Sequence, residues 1–221
     1  MRGGGVVQLA ASSWWWSGSA AVGLVLGAAA RGLTRRFLRQ ERRLAATWWF
    51  GAVLTAAALG LLGWRVEARG ELAVYGFVTI LAVPLAVIDW CEHRLPRALM
   101  WPLLAGAMAG FAVLCLVRRD PAPGVRALAA LAAAGGLFLI LAVATGGGIG
   151  AGDVSAAAVV GLVTGWIGWA QVAGALLTAS LLALVLVAAP GVRRRDEDGA
   201  VVVPFGPCLL AGALVMVLAN G

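Results

Sequence analysis

Long runs of apolar residues alternate with short polar connections along the whole chain. Eight runs come close to the roughly 17–25 residues that a helix needs to cross the hydrocarbon core of a bilayer. They cover residues 13–30, 45–64, 71–89, 98–117, 125–144, 154–169, 170–189 and 204–220. Strands are not expected, because open sheet edges cannot satisfy their hydrogen bonds in lipid and no alternating pattern recurs. The pattern predicts an all-α, polytopic membrane helix bundle of about eight transmembrane helices.

The composition places the chain among membrane proteins. Of its 221 residues, 62% are hydrophobic and only 12% are charged, which is unusual for a soluble domain. We therefore expect one membrane domain over residues 1–221 and the lipid bilayer as its surroundings. The arginines lie beside apolar runs, so they are interpreted as topology signals and no nucleic acid partner is expected. The three cysteines are widely spaced and form no CxxC pair, which argues against a disulfide framework or a tetracysteine zinc site.

The distribution of arginine predicts the orientation of the bundle. The connection 31–44 carries six arginines and one glutamate, so it is placed in the cytoplasm. Alternation of the spans then puts the connections 90–97, 145–153 and 190–203 in the cytoplasm as well. The cytoplasmic side holds eleven arginines against six outside, although the connection 118–126 opposes this assignment.

Two aspartates stand apart from the other acidic residues. Asp89 ends one apolar run and Asp153 begins another, whereas the other eight acids fall in short hydrophilic connections. A carboxylate at the edge of a membrane helix is expensive to desolvate, so it is a candidate functional residue. The predicted orientation puts both at the cytoplasmic edge, where they would form one site.

Two neighbouring carboxylates suit hydrolysis of a peptide bond without a metal or a covalent nucleophile. They share a proton, so that one activates a water as a base while the other acts as an acid. The expected chemistry needs no cofactor and no metal. Positive φ and a close approach of a substrate strand would be permitted by the glycines around Asp153, which are Gly146, Gly147, Gly148, Gly150 and Gly152. Each aspartate also has a plainer interpretation: Asp153 as a helix N-cap, and Asp89 as a surface acid paired with Arg94 or Arg97.

Three segments together resemble the type IV prepilin peptidase family, the GxGD class of intramembrane aspartyl proteases. AVIDWCEHRLPRALMWPLL, which begins at Ala86, resembles that family's first aspartate segment, and GGGIGAGDVSAAAVVGLVTGW, which begins at Gly146, resembles its second. VPFGPCLLAGALV, from Val203, is similar to its last helix. The resemblance spans roughly residues 75–220, with residues 1–70 forming two additional N-terminal spans.

The resemblance implies which residues would act and on what substrate. Asp89 and Asp153 would be the catalytic pair, while Gly150, Gly152 and Pro96 would bind substrate or set loop geometry. The implied substrate is a prepilin or pseudopilin precursor, whose leader is cleaved at the cytoplasmic face of the bacterial plasma (inner) membrane.

The chain departs from that family's pattern in three places. Ser155 stands where the family usually has a basic residue, and Arg97 stands where Asp or Asn often follows Leu-Pro. The larger departure is the connection 31–44, which is short and lacks cysteines, whereas bifunctional members insert a cysteine-rich domain there. We therefore expect a short-form peptidase without methyltransferase activity. A non-enzymatic alternative is a small transporter or pilus-assembly component that uses the two aspartates as a proton or ion site.

Overall fold

The structure, a computed structural model, describes residues 17–30, 32, 48–66, 70–146, 148–188, 194–195, 201–202 and 204–220. Most of the connection 31–44 therefore lies outside the described residues, as do Trp14–Trp16 and most of 189–203. Eight helices occupy the described part of the chain: α1 Ser17–Ala30, α2 Trp48–Arg65, α3 Gly70–Glu92, α4 Arg97–Arg118, α5 Ala122–Ala144, α6 Ala151–Ile167, α7 Trp169–Ala188 and α8 Phe205–Asn220.

The helices follow the predicted apolar runs closely, and the fold is a helical membrane bundle. The predicted break between the sixth and seventh runs is confirmed at Gly168, whose extended backbone ends α6 and lets α7 begin one residue later. Apolar side chains such as Leu116, Val117 and Val143 are largely exposed on the outside of the bundle. Such a surface suits contact with lipid.

The number of membrane-crossing helices differs from the predicted eight. In the described part of the chain, α3, α4, α5 and α7 are long and apolar enough to cross a membrane, whereas the other four helices are shorter. The 17 residues of α6, for example, run only from the Gly150 cap to the Gly168 break. At a rise of about 1.5 Å per residue, a helix of that length reaches about 25 Å, less than the roughly 30 Å hydrocarbon core.

A short pair of strands also corrects the expectation that strands would be absent. β1, Arg194–Arg195, pairs antiparallel with β2, Val201–Val202, so that Arg194 is opposite Val202. The pair lies in the polar connection between α7 and α8, where water can satisfy the remaining backbone groups. It leaves the helical class of the fold unchanged.

Close packing of small residues holds α5 against α6, the most extensive helix–helix contact in the described bundle. A methyl group added at Gly161 would lie 2.4 Å from the carbonyl oxygen of Ala130, and one added at Gly165 would lie 2.4 Å from the Ala130 Cβ. Small side chains let helix backbones approach closely, which strengthens dispersion contacts where lipid removes the hydrophobic driving force.

Polar contacts join the helices at the end of the bundle where α6 stops. Arg118, at the end of α4, forms a bidentate ion pair with Glu71 at the start of α3. The Arg126 guanidinium of α5 donates to the carbonyl oxygens of Gly165, Trp166 and Ile167. It therefore caps the C-terminus of α6 and complements the negative end of the helix dipole.

Candidate active site

Asp89 lies in the last turn of α3, at the end of the bundle opposite the Glu71–Arg118 pair. Its side chain is buried, with 5% of the residue exposed, and it is the one charged residue buried in the described part of the chain. A buried carboxylate is costly unless other groups stabilise it. Asp89 therefore needs a specific partner.

The partner of Asp89 is the backbone of Gly206, in the first turn of α8. The Gly206 N–H donates a hydrogen bond to Asp89 Oδ2 over 3.1 Å. N–H groups in the first turn of a helix lack intrahelical acceptors, and the helix dipole favours negative charge there. A Cβ added at Gly206 would lie 2.6 Å from the same Oδ2. Glycine at this position is therefore what lets the carboxylate reach the backbone of α8.

This contact also bears on the interpretation of Asp89 as a surface acid paired with an arginine. Arg94 and Arg97 are exposed, whereas Asp89 is buried and accepts its hydrogen bond from Gly206. The surface pairing with Arg94 or Arg97 is not what the structure shows.

Asp153 lies in the first turn of α6, half-buried, at the same end of the bundle. Its N-cap interpretation is wrong, because Gly150 is the N-cap and Asp153 is the third helical residue. The Gly150 backbone lies beside its carboxylate, since a Cβ added at Gly150 would be 3.6 Å from Asp153 Oδ2.

The fold brings the two aspartates to one site. The Asp153 carboxylate interacts electrostatically with that of Asp89, and α8 packs against both α3 and α6. Leu95, in the connection between α3 and α4, touches the start of α6 at Gly152 and the start of α8 at Gly206. The predicted convergence of Asp89 and Asp153 is thus present in the structure, whereas their catalytic roles remain a prediction.

The glycines before Asp153 meet the expectation of positive φ only in part. In the described part of the connection 145–150, the one glycine with positive φ is Gly146, at 63°. Gly150 has φ −70° and ψ 147°, which any residue adopts, and Gly152 is helical. Gly152 is small for a different reason, since a Cβ there would lie 2.9 Å from Leu95 Cβ. Of the glycines that could permit positive φ, Gly146 therefore adopts it, whereas Gly150 and Gly152 do not.

Pro96 is the N-cap residue of α4, in extended conformation with φ −67° and ψ 124°. The chain turns sharply just before it, because His93 has a φ of 51°. Pro96 thus sets the geometry of the α3–α4 connection and the direction in which Leu95 enters the site. This agrees with a role in loop geometry, while a contact with substrate remains a prediction.

Sequence reasoning missed Gly206 and Leu95 as residues of the site. Both lie in segments that carry the family resemblance, VPFGP and HRLP, so the signal was present. Hydropathy marked Gly206 only as the start of an apolar run and Leu95 as part of a connection. Contacts between positions far apart in sequence are what give them their importance.

A metal ion in a protein is usually held by several acidic, histidine or cysteine side chains. Within the ranges that the structure describes, no group of three or more His, Cys, Asp or Glu residues is arranged to hold a metal ion. Cys208, in the first turn of α8, is buried close enough to Asp89 to interact with it electrostatically.

Comparison with known proteins agrees with this geometry. No curated protein and no solved structure matches the chain. A model of the type IV leader peptidase family matches residues 73–188, just over half of the sequence. The match includes Asp89, Leu95 and Asp153 but ends before α8, whereas the resemblance in the sequence extended to about residue 220. The chain is a membrane protein that belongs to the type IV leader peptidase family.

Proposed function

We propose that this protein is an intramembrane aspartyl endopeptidase that removes the leader from type IV prepilin-like or pseudopilin precursors. Family membership points to a peptidase. The observation that carries the assignment of the site is the pairing of a buried Asp89 with Asp153. These two are the catalytic pair in the proposal.

The proposed chemistry uses the two carboxylates as a pair that acts on one water molecule. The ionised member takes a proton from a water molecule, and the resulting hydroxide attacks the scissile carbonyl carbon. The protonated member donates its proton to the carbonyl oxygen, which gives a tetrahedral diol. Transfer of a proton to the amide nitrogen and cleavage of the C–N bond release a new carboxyl group and a new amino terminus.

The surroundings of the pair favour a state in which one carboxyl group is ionised and the other is protonated. The Gly206 N–H stabilises negative charge on Asp89, while the Gly150 backbone lies beside the Asp153 carboxylate. Two interacting negative charges repel one another in a medium of low dielectric constant, so in this proposal the pair shares one proton. A singly protonated pair is the form that contains both an acid and a base.

The proposal places the site at the cytoplasmic face of the bacterial plasma membrane. The support is the arginine bias of the sequence, which puts the connection before α4 and the connection after α5 on the cytoplasmic face. The two aspartates share an end of the bundle with the connections 93–96 and 145–150. A precursor whose leader lies in the cytoplasm would present its cleavage site there.

Conservative substitution of each aspartate tests the proposal. Asp89→Asn and Asp153→Asn keep shape but remove acid–base function, so each should lower leader cleavage by at least about 100-fold. Asp120→Asn is the matched control, because Asp120 is exposed and only accepts a hydrogen bond from the Ala122 N–H. Cleavage of a purified prepilin by each variant in detergent is followed by mass spectrometry, with Tm as the check on folding. Near-normal cleavage by a folded Asp89→Asn or Asp153→Asn protein would rule out the aspartyl mechanism.

A further inference from the structure

Leu95 occupies the space between the two helix starts that carry the candidate active site. It lies in the four-residue connection from α3 to α4, between the turn at His93 and the cap at Pro96. Its side chain is half-buried and packs against the core. A Cβ placed on Gly152 would lie 2.9 Å from Leu95 Cβ and 3.2 Å from its Cδ1, and one on Gly206 would lie 3.3 Å from that Cδ1.

Each of the two glycines that Leu95 contacts is linked directly to one of the aspartates, either along the chain or by a hydrogen bond. Gly152 directly precedes Asp153 in the first turn of α6. Gly206 donates its N–H to Asp89 in the first turn of α8. The leucine side chain therefore separates the backbone that carries one aspartate from the backbone that holds the other.

We propose that Leu95 is a positioning residue that sets the separation of the Asp89 and Asp153 carboxylates. This inference rests on the proposed function, since it assigns Leu95 a task in the same reaction. Leu95 has no atom that can transfer a proton, so it takes no chemical step itself. Its bulk keeps the starts of α6 and α8 at a fixed distance, and the two glycines give it room to do so.

The size of the side chain is the property that matters in this arrangement. Leu95→Ala removes three carbon atoms from between the helix starts, so the two backbones can shift relative to each other. A misplacement of about 1 Å can lower a rate by about 100-fold. Leu95→Met keeps nearly the same volume, and swaps of this kind are usually tolerated in packed sites.

Kinetics of leader cleavage provides the first test. We expect Leu95→Ala to lower kcat by about 10- to 100-fold with KM changed less than about 3-fold, and Leu95→Met to restore kcat to within about 3-fold of the native value. Leu104→Ala is the control, because Leu104 is also half-buried against the core but lies further along α4. Equal losses of kcat in Leu95→Ala and Leu104→Ala, or an effect on KM alone, would overturn the inference.

Cross-linking provides a second test that does not depend on activity. Cys91, Cys115 and Cys208 are replaced by alanine, and Asp89→Cys with Asp153→Cys supplies a pair of thiols in the full-length protein. A short bifunctional thiol reagent should bridge the pair. Leu95→Ala should change the yield of bridged protein at least 3-fold, whereas Leu104→Ala should leave it unchanged.

The two tests separate failure of this inference from failure of the proposed function. If the native protein cleaves no leader but bridging still depends on Leu95, the function is wrong and the positioning role stands. If cleavage is normal for the native protein and bridging is absent or independent of Leu95, the positioning role is wrong.

Discussion

The backbone N–H of Gly206 donates a hydrogen bond to Oδ2 of Asp89 over 3.1 Å, although the two residues lie 117 positions apart. This bond connects the last turn of α3 with the first turn of α8. The donor to this buried carboxylate is a backbone N–H and not a side chain. The contact also makes α8 part of the site, although the family match ends at residue 188.

Gly206→Ala should impair catalysis more than stability. The added methyl would meet Asp89 Oδ2 at 2.6 Å, so the carboxylate must turn away and lose its backbone hydrogen bond. We expect leader cleavage to fall by about 100-fold, the scale of a misplaced catalytic group. Gly136→Ala is the matched control, because nothing lies within 4 Å of its added Cβ. Equal cleavage by the two variants would mean that Asp89 does not need the Gly206 N–H.

Arg126→Lys should destabilise the bundle at the end opposite the aspartates. The guanidinium donates to three carbonyl oxygens at the C-terminus of α6, and a single ammonium cannot reproduce that fork. The expected loss in the free energy of unfolding is about 1–2 kcal/mol. Arg119→Lys, at an exposed position in the neighbouring connection, should leave the free energy of unfolding unchanged. Denaturant titration in detergent micelles compares the two variants, and equal stability would contradict the capping role.

Gly161→Ala should weaken the contact between α5 and α6. Its methyl group would lie 2.4 Å from the Ala130 carbonyl oxygen and 2.9 Å from the Ala134 Cβ. Overpacking of this kind costs about 1–3 kcal/mol, which exceeds the gain of up to about 1 kcal/mol from replacing glycine in a helix. Gly136→Ala makes the same change in α5 without a clash, so it should keep or slightly raise stability. A Gly161→Ala protein with the native Tm would show that the helices can separate at no cost.

The residues at which the helices begin and end could mostly be predicted from the sequence to within a few positions. Hydropathy is a local property, and in a bilayer a run of apolar residues has few alternatives to a helix. The break at Gly168 was predicted two residues too late, between residues 169 and 170. The length of α6 was less predictable, since its start depends on the Gly150 cap and its end on Gly168 rather than on hydropathy.

The candidate site could be predicted only in part. Asp89 and Asp153 stood out because each is an acid at the edge of an apolar run. The physical role of Gly152 could not be recognised in the sequence. A glycine that makes room for Leu95 looks the same there as one that allows positive φ. The contacts of Gly206 and Leu95 were not predictable, since no local pattern reports which helix start meets which helix end.

The partners of the arginines outside the cytoplasmic connections could not be predicted from the sequence either. Arg118 and Arg126 count against the predicted orientation when only their charge is considered. In the structure Arg118 pairs with Glu71, and Arg126 caps α6. Arg65 donates to the Leu218 carbonyl oxygen near the end of α8. These three arginines have partners within the protein, so their positions reflect packing of the bundle as well as the membrane.

Labelling of single cysteines tests the orientation on which the cytoplasmic site depends. With Cys91, Cys115 and Cys208 replaced by alanine, a cysteine is introduced at Arg94, Thr145 or Arg119, all of which are exposed. Because Arg94 and Thr145 flank the two aspartates, we expect an impermeant maleimide to label both in inverted membrane vesicles but not in intact cells. Arg119→Cys, in the connection at the opposite end, should show the reverse pattern. Labelling of Arg94→Cys and Thr145→Cys from different sides would mean that Asp89 and Asp153 cannot meet. Labelling of both from outside would instead put the proposed cleavage at the outer face of the membrane.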